Sequence, residues 1–267
     1  QLTCDLARET ALRAMDHAGV TADEIDLVIL ATTTPDNTFP ATAARVQAKL
    51  GVSKGAAFDV QAVCSGFIYA MTQADNMIRL GQAKCALVIG AEIYSRILDW
   101  KDRSTCVLFG DGAGAVVIQA QDGEGTSDDR GILSTIIGAD GRHYDNLYVD
   151  GGVASTGTAG HVRMAGQEVF RHAVKRMSDS VETGLSDAGL SKADLKWLVP
   201  HQANLRIIDA TARRMGLSTD KVMINIEKYG NTTSGTIPLC LWEWEDRLKK
   251  GDNIVLSAFG GGFTWGA

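Results

Sequence analysis

Of the five cysteines in the chain, Cys64 has the surroundings that chemistry would need. It lies in FDVQAVCSGF, residues 58–67, between an apolar run and a Ser-Gly step. The stretch after it, FIYAMTQADNMIRL, has helical spacing, so a helix is expected to begin near the thiol. A sulfur at a helix N-terminus sits in the positive end of the backbone dipole, which favours thiolate and reactivity at neutral pH. The plainer alternative is a buried, inert cysteine. Cys85 and Cys240 fit that alternative better, inside apolar strand and helix patterns. Two polar residues occupy comparable places later on. His201 ends the strand-like run of VPHQANLRI, and Asn231 sits in the loop KYGNTTSG ahead of another helix. Singly they read as a surface histidine and a turn asparagine. Loops at one edge of two matching sheets would bring all three to one pocket.

The elements that must position them repeat. DHAGVTADEIDLVIL, residues 16–30, resembles SDAGLSKADLKWLVP, residues 186–200, with Gly19 and Gly189 170 residues apart. RLGQAKCALVIGA resembles LKKGDNIVLSAFG, with Gly81 and Gly251 again 170 apart. Two anchors at one offset indicate a duplicated unit. Each half reads as helix, strand, helix, strand, helix, strand. In the second half, Phe170, Val174, Met177 and Val181 mark the first helix and KVMINI is expected as a strand. In the first, PATAARVQAKL is a helix with Pro40 in its first turn. Strands without alternation, separated by helices, predict mostly parallel sheets covered on both faces, here two sheets sharing central helices. Residues 1–120 and 166–267 form the halves. Residues 121–165, rich in Gly, Asp, Ser and Thr, read as a strand-bearing insertion.

Composition narrows the function. The 267 residues are 45% apolar and 22% charged, an ordinary globular balance. A formal net charge of −6 argues against general nucleic-acid binding. The odd, widely spaced cysteines lack any Cys-x-x-Cys pair, which fits a reducing cytosol rather than a disulfide framework or a zinc site. The apolar runs are too short to span a membrane. FGDGAGA lacks the ending of a phosphate loop. The three glycines of FGGGFTWG suit either a tight turn or a backbone N–H offered to a ligand. The order Cys, His, Asn also occurs in papain-like proteases, but AVCSGF departs from their local pattern, and they do not predict a doubled unit.

FDVQAVCSGF, FGDGAGA, MAGQEVF, LVPHQANLRII, GNTTSG and AFGGGFTWG together resemble β-ketoacyl-acyl-carrier-protein synthase III. The resemblance implies a thiolase fold, with five layers, α-β-α-β-α, from two pseudo-symmetric halves. It also implies a cytoplasmic homodimer of the bacterial type II fatty-acid pathway, with acyl-CoA and acyl carrier protein as partners and no cofactor or metal. Cys64 would take the acyl group. His201 and Asn231 would donate to the malonyl thioester carbonyl while CO2 leaves, and the Cys64 and Gly261 N–H groups would form the oxyanion hole. Phe39 resembles a residue closing the partner's acyl pocket. Phe259 resembles one beside the malonyl site, and Arg103, Gln167, Asn204 and Arg206 resemble the residues of the CoA tunnel. Gln202, Ala203, Asn204, Leu205 and Arg206, with Arg213 and Arg214, resemble a carrier-protein contact. The family also implies a segment ahead of Gln1, with an opening strand and CoA-adenine contacts, and a short strand end after Ala267. A polyketide priming synthase and a noncatalytic acyl-binding protein share the fold and stand as alternatives.

Overall fold

A computed structural model describes residues 1–267. The first half contains α1 (Thr3–Ala18), β1 (Leu27–Ala31), α2 (Thr42–Leu50), β2 (Ala56–Val60), α3 (Gly66–Arg79), β3 (Cys85–Glu92) and β4 (Gly112–Gln119). Three short strands follow: β5 (Ile137–Ala139), β6 (Leu147–Val149) and β7 (Val162–Met164). The second half contains α4 (Gly166–Asp187), β8 (Trp197–Pro200), α5 (Leu205–Met215), α6 (Ile226–Tyr229), α7 (Thr236–Glu243), β9 (Ile254–Gly260) and β10 (Thr264–Gly266).

Two four-stranded sheets run β2-β1-β3-β4 and β5-β10-β9-β8. β1 pairs parallel with β2 and β3, and β8 pairs parallel with β9. β4 closes the first sheet antiparallel, and in the second β10 runs antiparallel between β9 and the edge strand β5. Every residue of β1 and β3 is buried, as strands covered on both faces require. One face of the first sheet meets α1 and α2 through Cys4, Ala7, Ala11, Val46 and Leu50. The other meets the central pair α3 and α7, whose Phe67, Ile68, Ala70, Ile237 and Cys240 also contact Val199 and Ala258 of the second sheet. The far side of that sheet is covered by α4 and α5 through Met177, Val181, Ile207 and Ile208. The result is five layers, α-β-α-β-α.

The repeat extends well beyond its two sequence anchors. β1 starts at 27 and β8 at 197, while α3 starts at 66 and α7 at 236. Matching 3-10 turns cover 63–65 and 233–235. Each turn has a β-branched residue at positive φ, Val63 at 50° and Thr233 at 51°. Such residues are outliers in this region, and each costs on the order of 1–3 kcal/mol. The same strained turn thus occurs twice, 170 residues apart.

Several local expectations change. KVMINI forms no sheet strand: only Val222 makes a bridge, to Leu198, and the chain then turns into α6. The reason lies in Gln202, which accepts the Asn225 N–H and donates to the Met223 carbonyl, using backbone groups that a strand would need. α2 begins at Thr42, so Pro40 precedes the helix rather than lying in its first turn. In α4 the buried stripe is Val169, Ala173, Met177 and Val181, and Phe170 is exposed. FGDGAGA leads into β4, which takes up its last four residues. Its Gly114 lets α7 approach so closely that a Cβ there would lie 2.7 Å from the Pro238 Cβ.

The halves meet most tightly at β3, where a Cβ on Gly90 would lie 2.2 Å from the Ser234 carbonyl oxygen. Gly90→Ala should therefore destabilise the fold by about 3 kcal/mol or more, because backbone must move. Gly19→Ala, in open space at a φ of 66°, should cost about 1–2 kcal/mol. Urea unfolding of both variants measures the contrast.

Candidate active site

Cys64 occupies the 3-10 turn 63–65, directly between β2 and α3. Gly66 keeps the helix start thin, where a Cβ would lie 3.1 Å from the Ala31 Cβ. On the other side the end of β9 passes so close that a Cβ on Gly260 would fall 2.8 Å from the Cys64 nitrogen. The thiol is buried and unbridged. Burial pushes it well above the usual thiol range, and the carboxylate of Glu92 pushes it further. This overturns the expectation of a thiolate favoured by the helix terminus. The dipole supplies at most about 2 kcal/mol, whereas full desolvation shifts a buried group by several pH units. The resting sulfur is therefore protonated.

His201 follows β8, its backbone N–H donating to the Ser257 carbonyl at 2.7 Å. Its Nδ1 lies 2.7 Å from Thr236 Oγ1, and Nε2 is buried without a protein partner. Burial lowers its pKa to about 3, so the ring is neutral. Asn231 is fixed through its backbone, with the N–H on the Leu108 carbonyl and the C=O accepting from Gly110. Its Oδ1 accepts the Thr233 N–H at 2.9 Å, which orients the carboxamide and leaves the NH2 to donate elsewhere.

Cys64, His201 and Asn231 all line one cavity of about 900 Å3. Phe259, Gln167, Ala203, Asn204, Arg206 and Arg213 line it too. Apolar walls come from Leu147, Met164, Phe170 and Ala173. Arg206 and Arg213, seven apart on α5, bracket Asp209, which also reaches the cavity. Sequence reasoning missed Asp209, although its spacing from both arginines on one helix face was the available signal.

Other expected residues lie outside that wall. Phe39 is 81% exposed in the loop before α2, and Arg103 is exposed in the loop after β3. Neither lines the cavity. Gly261 packs against Leu147 and Val63, and Gly260 is the glycine that faces the Cys64 amide. Leu205 and Arg214 lie at the surface, the latter 3.5 Å from Asp179. Gln202 cannot touch a carrier protein. It is fully buried, and its amide is spent on the Pro200 and Met223 carbonyls and the Asn225 N–H. Asn204 caps α5 by accepting from Arg206 N at 2.8 Å.

Glu92, at the end of β3, is the buried acidic side chain that sequence reasoning overlooked. It is 0% exposed. Its carboxylate accepts from the Thr33 N–H and hydroxyl at 3.1 Å, from Thr34 Oγ1 at 2.7 Å and from Ser234 Oγ at 3.1 Å. Burial raises its pKa, while these donors oppose the rise. The sequence signal was a single acid closing the apolar strand CALVIGAE.

Five layers from a doubled unit, with a cysteine, a histidine and an asparagine opening on one cavity, define a thiolase-fold condensing enzyme. Family models described as 3-oxoacyl-[acyl-carrier-protein] synthase III match residues 58–141, and the C-terminal model of the same description matches residues 185–267. The chain is similar to β-ketoacyl-[acyl-carrier-protein] synthase III of Rhodospirillum centenum, at 61% identity over 99% of this chain and 82% of the relative. It is 58% identical to the Agrobacterium fabrum protein of the same name, over all of this chain and 83% of that one. The crystal structure of 3-oxoacyl-[acyl-carrier-protein] synthase III from Aquifex aeolicus superposes with a TM-score of 0.93 at 44% identity, covering 100% of this chain and 83% of that one. The chain belongs to the 3-oxoacyl-[acyl-carrier-protein] synthase III family and is an acyltransferase.

The native imidazole refuses a proton that the unfolded chain binds at its ordinary value of 6.5. Its contribution to stability is complete above pH 6.5 and is lost as pH falls towards about 3. The pH dependence of the urea midpoint across that window should be shallower in His201→Gln by about one bound proton.

Proposed function

We propose that this chain is the initiating condensing enzyme of bacterial type II fatty-acid synthesis. An acyl-CoA, with acetyl-CoA as the expected primer, transfers its acyl group to Cys64. The Cys64 S–H bond breaks, a thioester forms at Sγ, and CoA leaves as the thiol. Malonyl carrier protein then places its thioester carbonyl beneath His201 and Asn231. Their neutral N–H groups stabilise the enolate left when CO2 departs. The enolate carbon attacks the Cys64 thioester, giving the β-ketoacyl carrier protein, and Sγ recovers a proton from solvent. The observation that carries this reading is the convergence of Cys64, the unpartnered His201 Nε2 and the oriented Asn231 carboxamide on one cavity. No step requires a cofactor.

A raised Cys64 pKa suits this chemistry. The sulfur is protonated at rest and gives up its proton as the thioester forms, and negative charge developing on it faces the N-terminal turn of α3 and its own amide N–H. The Cys64 and Gly261 N–H groups would hold the acyl oxygen. Gln167, Asn204 and Arg206 would line the pantetheine path, with Arg103 near its mouth and Phe259 beside the malonyl group. Residues 203–206 with Arg213 and Arg214 would dock the acidic carrier protein, a local basic face in a chain of net charge −6. The exposed Phe39 supports a homodimer in which it closes the partner's pocket. The insertion, residues 121–165, would separate halves 1–120 and 166–267. No helix is long and apolar enough to cross a membrane, and a cytoplasmic site of action accords with the expected substrates.

Asn231→Ala should lower malonyl carrier-protein decarboxylation about 10²–10³-fold, the cost of one oxyanion donor, while the acyl-enzyme still forms at Cys64. Labelled CO2 release and intact-protein mass measure the two halves separately. Failure of the wild-type protein to condense any short acyl-CoA with malonyl carrier protein would refute the assignment.

A further inference from the structure

Thr236 stands behind His201, at the first residue of α7, and has no role in the reaction described above. Its Oγ1 lies 2.7 Å from His201 Nδ1 and 3.0 Å from the Thr233 carbonyl oxygen. A hydroxyl has one proton to give, and its direction decides the imidazole tautomer. The Thr233 carbonyl accepts the backbone N–H of Thr236 and, with its second lone pair, is also within reach of the hydroxyl, so it competes with Nδ1 for that one proton. Nδ1 is the nearer acceptor and makes no other hydrogen bond. Across the ring, Nε2 is buried and unpartnered, in a residue that lines the cavity. A neutral imidazole carries one N–H, so Nδ1 and Nε2 cannot both donate.

We propose that Thr236 is a positioning residue, whose hydroxyl donates to Nδ1 and so holds His201 as the Nε2–H tautomer, with its single N–H aimed into the cavity. The alternative tautomer would place the Nδ1–H on Thr236 and leave a lone pair at Nε2. That lone pair would repel the thioester oxygen that the site is built to receive. One hydroxyl rotor outside the cavity therefore settles whether the histidine attracts or repels the developing oxyanion. The inference rests on the donor role given to His201 under the proposed function, but the tautomer itself can be read without any substrate.

The test uses the full chain carrying 15N-labelled histidine. With five histidines, the His201 signals are assignable by their loss in His201→Gln. The expected wild-type spectrum at neutral pH has a pyridine-type Nδ1 and a pyrrole-type Nε2. A protonated Nδ1 overturns the proposal. Thr236→Val keeps the shape and removes the hydroxyl. It should blur that pattern and lower malonyl carrier-protein decarboxylation about tenfold, the worth of one buried hydrogen bond. Acyl transfer from acetyl-CoA to Cys64 should be little changed, which also reports that the variant folds. Thr236→Ser should restore the spectrum and the decarboxylation rate. Equal losses in both half-reactions, or none in either, count against a positioning role. A wild-type chain that shows the Nε2–H pattern yet condenses nothing would support the tautomer and defeat the functional reading instead.

Discussion

The buried carboxylate of Glu92 is the interaction on which the two halves depend. It ends β3 with no solvent and gathers donors from the loop after β1 and from Ser234 of the second half. Removing one partner of such an ensemble is damaging, because a buried polar group is left without its hydrogen bond. The network also brings the second half's strained turn against β3, where Gly90 and Ser234 touch backbone to backbone. At that seam the turn that carries Cys64 also packs against the turn that follows Asn231. Burial raises the Cys64 pKa and Glu92 adds to the rise, so the group that joins the halves also bears on the thiol.

The thiol sets two physical terms against each other. The start of α3 offers a positive terminus, and enclosure removes water. Removal of water wins at the Cys64 thiol. A sulfur that stays protonated is a poor target for stray oxidants and alkylators, whose reaction runs through thiolate. His201 obeys the same logic from the basic side: burial keeps it uncharged, hence a donor that adds no cation to the cavity.

Much of this was legible in the amino-acid order. The 170-residue repeat predicted two sheets sharing central helices, and every principal strand of the first half appears where its apolar run lies. Cys64, His201 and Asn231 were readable because each sits at an element boundary that the pattern marks. What was not legible involves partners distant in sequence. KVMINI has strand composition, yet the Gln202 side chain takes the backbone groups it would have paired. Gln202 itself reads as an exposed polar residue beside a functional histidine, and only tertiary packing shows it sealed. The glycines of FGDGAGA had no structural reading beyond not being a phosphate loop, because no local pattern reveals that α7 must pass within contact distance of β4. The height of the thiol pKa depends on enclosure, which no single segment contains.

The twin turns preceded by Val63 and Thr233 carry one more implication. Ser234 holds the place in the second repeat that Cys64 holds in the first, on backbone bent the same way. Its hydroxyl is tied to the Ala31 carbonyl at 2.9 Å and to Glu92, and it does not reach the cavity. The two elbows are alike in backbone, one presenting a thiol to the cavity and the other a tethered hydroxyl. Their divergence lies in side-chain tethering rather than in the fold's symmetry, so the silent copy serves as an internal reference for what the bend contributes without a reactive atom.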